Sequence, residues 1–246
     1  MQQESILRVD NVVKRFGGLY ALRKVSFDVE QGKVVGLIGP NGSGKTTLFN
    51  CISGMYAPDD GSILFQGENI AGLKPHKIAR KGIGRTFQIA RPFGDMSVRD
   101  NVYVGAAFGC TRKDEPGKTS DVCIDALRMT HLESKADELA DSLTFGEKRR
   151  LEIARALALR PKLLLLDETM AGLTSTEVDS TLEMIRHIAT ELGLSVIVVE
   201  HVMRAIMAVS NKVVVLSEGE KIAEGTPKEI SEDPKVLTAY LGERGD

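Results

Sequence analysis

The nine residues GPNGSGKTT, Gly39 to Thr47, fit the pattern G-x-x-x-x-G-K-[ST] with Gly39, Gly44, Lys45 and Thr46 in the fixed places. Such a run is suited to holding phosphate. Glycines let the backbone curl until its amides converge on phosphate oxygens, Lys45 brings a point charge to the outer phosphates, and the Thr46 hydroxyl is a ligand for Mg²⁺. Asn41, Gly42, Ser43 and Thr47 complete the loop as candidate nucleotide contacts. The flanks agree with this reading. The continuous apolar run Val34 to Ile38 predicts a strand buried on both faces, and a helix is expected after the loop, its dipole adding to the pull on an anion. A chance glycine-rich loop would need neither flank.

A second site for chemistry is LLLLDETMAGL. Four leucines predict another strand buried on both sides, ending in Asp167 and Glu168 at the edge where parallel sheets deliver ligand-binding residues. Asp167 suits the task of holding Mg²⁺, and Glu168, one residue farther out, is placed to take a proton from an attacking water or to orient it. A further apolar run ends in VIVVEHVM, so His201 leaves the same edge of the sheet and is a candidate contact to a terminal phosphate or the water. A lone histidine after a strand is more often a cap. His76, His131 and His187 stand in polar contexts and read as surface residues.

The stretch LTFGEKRRLEIARAL opens a helix with Thr144, Phe145, Gly146 and Glu147, followed by three cations. Thr144 and Glu147 have the spacing of a capping box. Cations in a first turn oppose the macrodipole by a few tenths to about 1 kcal/mol each. Two readings stand side by side: a solvated basic face, or a helix start that meets an anion.

These residues must be held by elements, and the remaining chain supplies them. Strands are expected over Ile6 to Arg15, Leu22 to Glu30 and Ser62 to Gln66, with Val25, Phe27 and Val29 alternating as in a half-solvated antiparallel sheet. Residues 89–142 read as a mostly helical insertion with a polar loop, TRKDEPGKTS. Beyond Pro161, KLLLLDE, a helix from Thr176 to Leu192, LSVIVVE, a short helix from His201 and KVVVLSEG alternate as in a parallel sheet wrapped by helices. Two hairpin-like pieces and a short helix, DPKVLTAYLG, are expected to close the chain. With 246 residues, 42% of them hydrophobic, the chain suits one large domain. A net charge of -2 gives no bulk attraction to nucleic acid. Cys51, Cys110 and Cys123 lack paired metal-ligand spacing, so reduced cytosolic thiols are expected. The start of the chain has no signal-like apolar core, and the apolar runs are too short to span a bilayer, which predicts a soluble, cytoplasmic polypeptide.

In their order, GPNGSGKT, RTFQ with Gln88, LTFGEKRRLEIARAL, LLLLDE and His201 resemble the motifs of the ATP-binding-cassette ATPases over nearly the whole chain. The resemblance implies an α/β fold: a P-loop NTPase core with a mostly parallel sheet, an N-terminal antiparallel β subdomain and an inserted helical subdomain. It implies a single domain over 1–246, with the nucleotide-binding core in 1–88 and 143–246 and the helical subdomain in 89–142. It also implies ATP and Mg²⁺ as cofactors, adenine stacking on Phe16, Gln88 joining Mg²⁺ to the lytic water, and catalytic roles for Glu168 and His201. Thr46, Gln88 and Asp167 are the implied metal ligands. Thr144, Gly146 and Glu147 become the family signature, which faces the γ-phosphate of ATP held by a second cassette subunit, homo- or heterotypic.

Within that family GIGRTFQIARPFGDMSVRDNV, RRLEIARAL, VVEHVMRAI and EGTPKEISEDPKVLTAYLGE are similar to the ATP-binding subunits of branched-chain amino acid importers. That similarity implies transmembrane permease subunits as partners, an indirect link to a solute-binding protein, no nucleic acid, and a place on the inner face of the cell membrane. The chain departs from the family at three points. Thr144, Phe145, Gly146 and Glu147 stand for the usual Ser, Gly, Gly, Gln, Thr169 for a usual Pro, and Thr174 for a usual Asp or Asn. A soluble nucleotide-operated clamp outside transport, and a module that binds ATP without hydrolysing it, are the alternatives.

Overall fold

The computed structural model describes residues 5–86, 92–109, 118–200 and 203–241. It opens on two long antiparallel strands, β1 (Ser5–Phe16) and β2 (Leu19–Glu30). On β2 the buried Val25, Phe27 and Val29 alternate with half-buried Ser26 and Asp28, the period that one packed face imposes. β3 (Val34–Ile38) is buried at every position and leads through the glycine loop into α1 (Lys45–Ile52). β4 (Asp60–Phe65) and β5 (Glu68–Asn69) complete a four-stranded antiparallel sheet in the order β2-β1-β4-β5. α2 (Pro75–Lys81) and β6 (Ile83–Arg85) follow.

The insertion carries α3 (Val98–Ala107), α4 (Lys118–Met129) and two single-turn 3₁₀ segments, Glu133–Lys135 and Ala140–Ser142. Then come α5 (Phe145–Ala158), β7 (Leu163–Asp167), α6 (Ser175–Glu191), β8 (Ser195–Val199), α7 (Met203–Val209), β9 (Lys212–Ser217) and β10 (Glu220–Gly225). The chain continues through α8 (Pro227–Glu232) and α9 (Pro234–Leu241). The second sheet has six strands in the order β10-β9-β3-β8-β7-β6. β3, β6, β7, β8 and β9 are parallel, and β10 pairs antiparallel at the edge.

The continuous apolar runs have a direct cause: the six-stranded sheet lies between two cores. Val35, Leu37, Leu163, Leu165, Ile197 and Val199 face α1 and the antiparallel sheet. Their neighbours Val34, Ile38, Leu164, Leu166, Val196 and Val198 face the helices, among them α5, α6 and α7. Val98, Val102, Ala126 and Leu127 of the insertion belong to that second core. Among the described residues no helix is long and apolar enough to cross a membrane.

One expectation fails at the C-terminal end. A single hairpin, β9–β10, is followed by α8, where a second hairpin-like piece was expected, and the expected terminal helix follows as α9. Thr226 accepts a hydrogen bond from the Glu229 amide, the Glu229 side chain answers, and Pro227 sits in the first turn. That capping box starts a helix where a hairpin-like piece was expected.

Candidate functional site: a nucleotide cleft and a capped helix start

The glycine loop is shaped by close approaches. Gly39, at φ 151°, lies so near the Leu216 carbonyl that a Cβ there would overlap it, and a Cβ on Gly44, at φ 102°, would come 2.6 Å from the Ala21 carbonyl oxygen. Both φ values lie in the region that favours glycine. The loop is thereby pressed against β9 and β2. Lys45 is buried, and its ammonium donates to the Gly39 carbonyl at 2.7 Å, the Pro40 carbonyl at 2.9 Å and Ser43 Oγ at 3.4 Å. Burial pushes its pKa below the usual lysine value, while the Glu168 and Asp167 carboxylates pull the other way. Cation and acids therefore share one site. Gly44 gives α1 no side-chain cap and its first turn holds no acid, whereas α5, α6 and α8 each begin with a Thr-x-x-Glu capping box. The helix start behind the glycine loop thus has no side-chain cap.

Asp167 ends β7 in the interior. Arg85, at the end of β6, reaches it at 2.9 Å and also donates to Asn50 Oδ1 at 2.8 Å and Ser53 Oγ at 2.6 Å, beside the Phe49 ring. One buried guanidinium therefore ties the metal-site candidate to the far end of α1. Thr86 adds a brace, its Oγ1 accepting from the Asp167 amide at 3.2 Å. Glu168 follows at φ 49°, a left-handed backbone, with its amide donating to the Val199 carbonyl at 2.9 Å. Glu200, 2% exposed, accepts from the Met170 amide at 2.8 Å and so fastens the turn after Glu168 to the end of β8.

These elements enclose an open cleft of about 440 Å³ lined by Asn41, Gly42, Ser43, Gly44, Lys45, Thr46, Thr47 and Glu168. Leu19, Tyr20, Ala21, Arg23 and Glu218 line it too, and no motif in the sequence picks them out. Tyr20 lies under the Arg15 and Arg23 guanidiniums at 5.6 and 5.9 Å, a pairing that only the β1–β2 hairpin creates. Phe16 pairs with Leu19 in the same hairpin, is 45% exposed and packs edge-on to Tyr56 at 5.3 Å. Gln88, His201 and Cys110 lie outside the described residues. His76, His131 and His187 are exposed, as expected. Cys51 and Cys123 are free and buried.

The signature residues Thr144, Gly146 and Glu147 do not line this cleft. The capping box is formed: the Glu147 carboxylate accepts from the Thr144 amide at 2.9 Å, and Thr144 Oγ1 accepts from the Glu147 amide at 3.3 Å. The three cations present no basic face. Lys148 donates to the Asp141 carbonyl at 3.1 Å, buried Arg149 stacks over the Phe145 ring at 5.2 Å, and Arg150 donates to Ser180 at 3.4 Å. The solvated basic face does not hold, because protein groups engage all three cations. Gly146 abuts the start of α6, where a Cβ would stand 2.5 Å from Glu177 Oε1. Thr174 has a local task there as the N-cap of α6.

Residues 22–171 match the family model described as "ABC transporter". The chain belongs to the ABC transporter family. Residues 220–246 of this cassette match a second family, described as "Branched-chain amino acid ATP-binding cassette transporter". The high-affinity branched-chain amino acid transport ATP-binding protein BraF of Pseudomonas aeruginosa is 40% identical over 254 residues, covering 97% of this cassette and 98% of that protein. Among solved structures, an ATP-binding cassette of an ABC transporter is similar with a TM-score of 0.88 and 31% identity, over 97% of this chain and 100% of that one. A dimeric cassette in a post-hydrolysis state, bound to ADP and Pi, is similar with a TM-score of 0.79 and 26% identity, over 90% of this chain and 98% of that one. This cassette is an ATPase that works with a transporter.

Proposed function

We propose that this chain is the ATP-hydrolysing subunit of a branched-chain amino acid importer, seated on the inner face of the membrane against permease subunits. It works as a pair of cassettes, homo- or heterotypic, and through the permeases serves a solute-binding protein. The observation that carries the nucleotide chemistry is the cleft in which Lys45, Thr46 and Glu168 meet beside the glycine loop. The match of residues 220–246 supports the choice of solute.

In this reading Phe16 stacks on the adenine, the amides of Gly39 to Thr47 and the Lys45 ammonium take the phosphates, and Thr46, Gln88 and Asp167 hold Mg²⁺. The donors fit that ion: hydroxyl, amide and carboxylate oxygens suit a hard cation. When bound, Mg²⁺ supplies charge neutralisation on the transferring phosphoryl group. Glu168 accepts a proton from the attacking water or orients it, and Gln88 and His201 position that water and the terminal phosphate. Residues 89–142 form the arm that carries motion to the permease, within one domain whose core is 1–88 and 143–246. Thr144, Gly146 and Glu147 face the nucleotide of the other cassette. Each site is complete only in the closed pair, so the difference in nucleotide affinity between open and closed states drives closure.

Glu168→Gln tests the catalytic assignment. It is expected to keep ATP binding and lose turnover about a hundredfold or more, read by phosphate release against a binding titration. Wild-type turnover in that variant removes Glu168 from the mechanism.

A further inference from the structure

A glutamate at the signature is an electrostatic problem. If residues 144–147 meet a phosphate, as proposed above, the Glu147 carboxylate opposes the approach of a like charge. In the structure both of its oxygens are engaged. Oε2 accepts from the Thr144 amide at 2.9 Å and the Thr144 hydroxyl at 3.0 Å, and Oε1 lies 2.8 Å from the Lys135 ammonium. That ion pair is the leading cause holding the Glu147 carboxyl below its usual range.

Lys135 comes from the helical insertion, not from α5. It ends the 3₁₀ turn Glu133–Lys135, whose backbone is fixed by the Lys135 amide to the Leu132 carbonyl at 3.1 Å and the Glu138 amide to the Lys135 carbonyl at 3.0 Å. Leu132 and Ala136 on either side are buried in the helical core. The ammonium is therefore presented by packed structure. The cations of α5 itself are committed to Asp141, Phe145 and Ser180, so compensation for Glu147 arrives from the insertion.

We propose that Lys135 is a positioning residue for the signature: its ammonium neutralises Glu147 and holds it back in the capping box, so that α5 offers the Gly146 amide, without a free negative charge, to a phosphate of the partner's nucleotide. The inference rests on the partner-facing reading of residues 144–147.

The test uses the full chain carrying Glu168→Gln, with ATP and Mg²⁺, and measures the dimer dissociation constant by sedimentation. Five proteins are compared: this parent, and the parent with Lys135→Gln, with Glu147→Gln, with both, and with Lys135→Arg. Lys135→Gln is expected to weaken the dimer roughly five- to tenfold, the scale of a partly exposed ion pair. Adding Glu147→Gln removes the charge that needed shielding, so the double variant matches Glu147→Gln within about twofold. Lys135→Arg keeps the dimer. The Lys135→Gln defect, relative to the parent at the same salt, shrinks in about 0.5 M NaCl, where screening shortens to a few ångströms. A loss of stability or packing would show neither the rescue nor the salt response. The inference is overturned if Lys135→Gln leaves the dimer intact. It is overturned equally if Lys135→Gln weakens the dimer to the same degree in the Glu147→Gln background, which would place Lys135 on another group. A parent that stays monomeric with ATP overturns the homotypic form of the signature reading and this inference with it.

Discussion

Glu168 holds its carboxylate at the cleft from a left-handed backbone, φ 49°, that a residue with a Cβ adopts at a cost of about 1 kcal/mol or more. Stability and the proposed catalytic role therefore conflict at this residue. Replacing Glu168 by Gly is expected to give a chain more stable than Glu168→Gln by about 1 kcal/mol in thermal or urea unfolding, since both lose the carboxylate and only one loses the strain. Equal stabilities would show that the backbone there is unstrained. The thiols make a second contrast. Burial pushes the Cys51 thiol up to about 11 and raises Cys123 as well, so both stay protonated at neutral and mildly alkaline pH. Alkylation of the native chain near pH 8, mapped by peptide mass, is expected to leave both unmodified. The loop from Gly39 to Thr47 was legible in the sequence because its chemistry is local. Tyr20 and Arg23 were not, because they reach the cleft only through the β1–β2 hairpin.

Legibility at the level of elements follows the same rule. Val34 to Ile38 was read residue for residue, since a strand buried on both faces has no polar position to blur its ends. The helix read from Thr176 to Leu192 starts one residue earlier and ends one earlier, at Ser175 and Glu191, because its start is set by the Thr174 cap. The Thr226 cap was overlooked, and with it α8. Arg85 shows the harder limit. Its sequence neighbours give no sign that it reaches Asp167, 82 positions away, or that it links β6, β7 and α1 through one buried side chain. Arg85→Gln removes the guanidinium that joins Asp167 to Asn50 and Ser53, so it is expected to cost about 3 kcal/mol in urea unfolding. Asp167→Asn placed on top should recover part of that loss. A cost under about 1 kcal/mol for Arg85→Gln alone, or no recovery in the double variant, would show that the pair is not what holds these elements together.

Across the whole molecule, one parallel sheet serves two cores and places its working residues at one edge. The glycine loop follows β3, Asp167 ends β7 and Glu168 follows it, and Glu200 follows β8. The signature helix starts elsewhere, with its cap closed and its Gly146 against α6. In the proposed function these are two halves of a site that one chain does not bring together, and that pairing with a second cassette would unite. The structure of the Glu168→Gln chain loaded with ATP and Mg²⁺ tests this most directly. The account predicts an outer phosphate on Lys45 of one chain within about 3 Å of the Thr144 hydroxyl or the Gly146 amide of the other. Nucleotide seated on Lys45 while residues 144–147 face solvent in every assembly would contradict it.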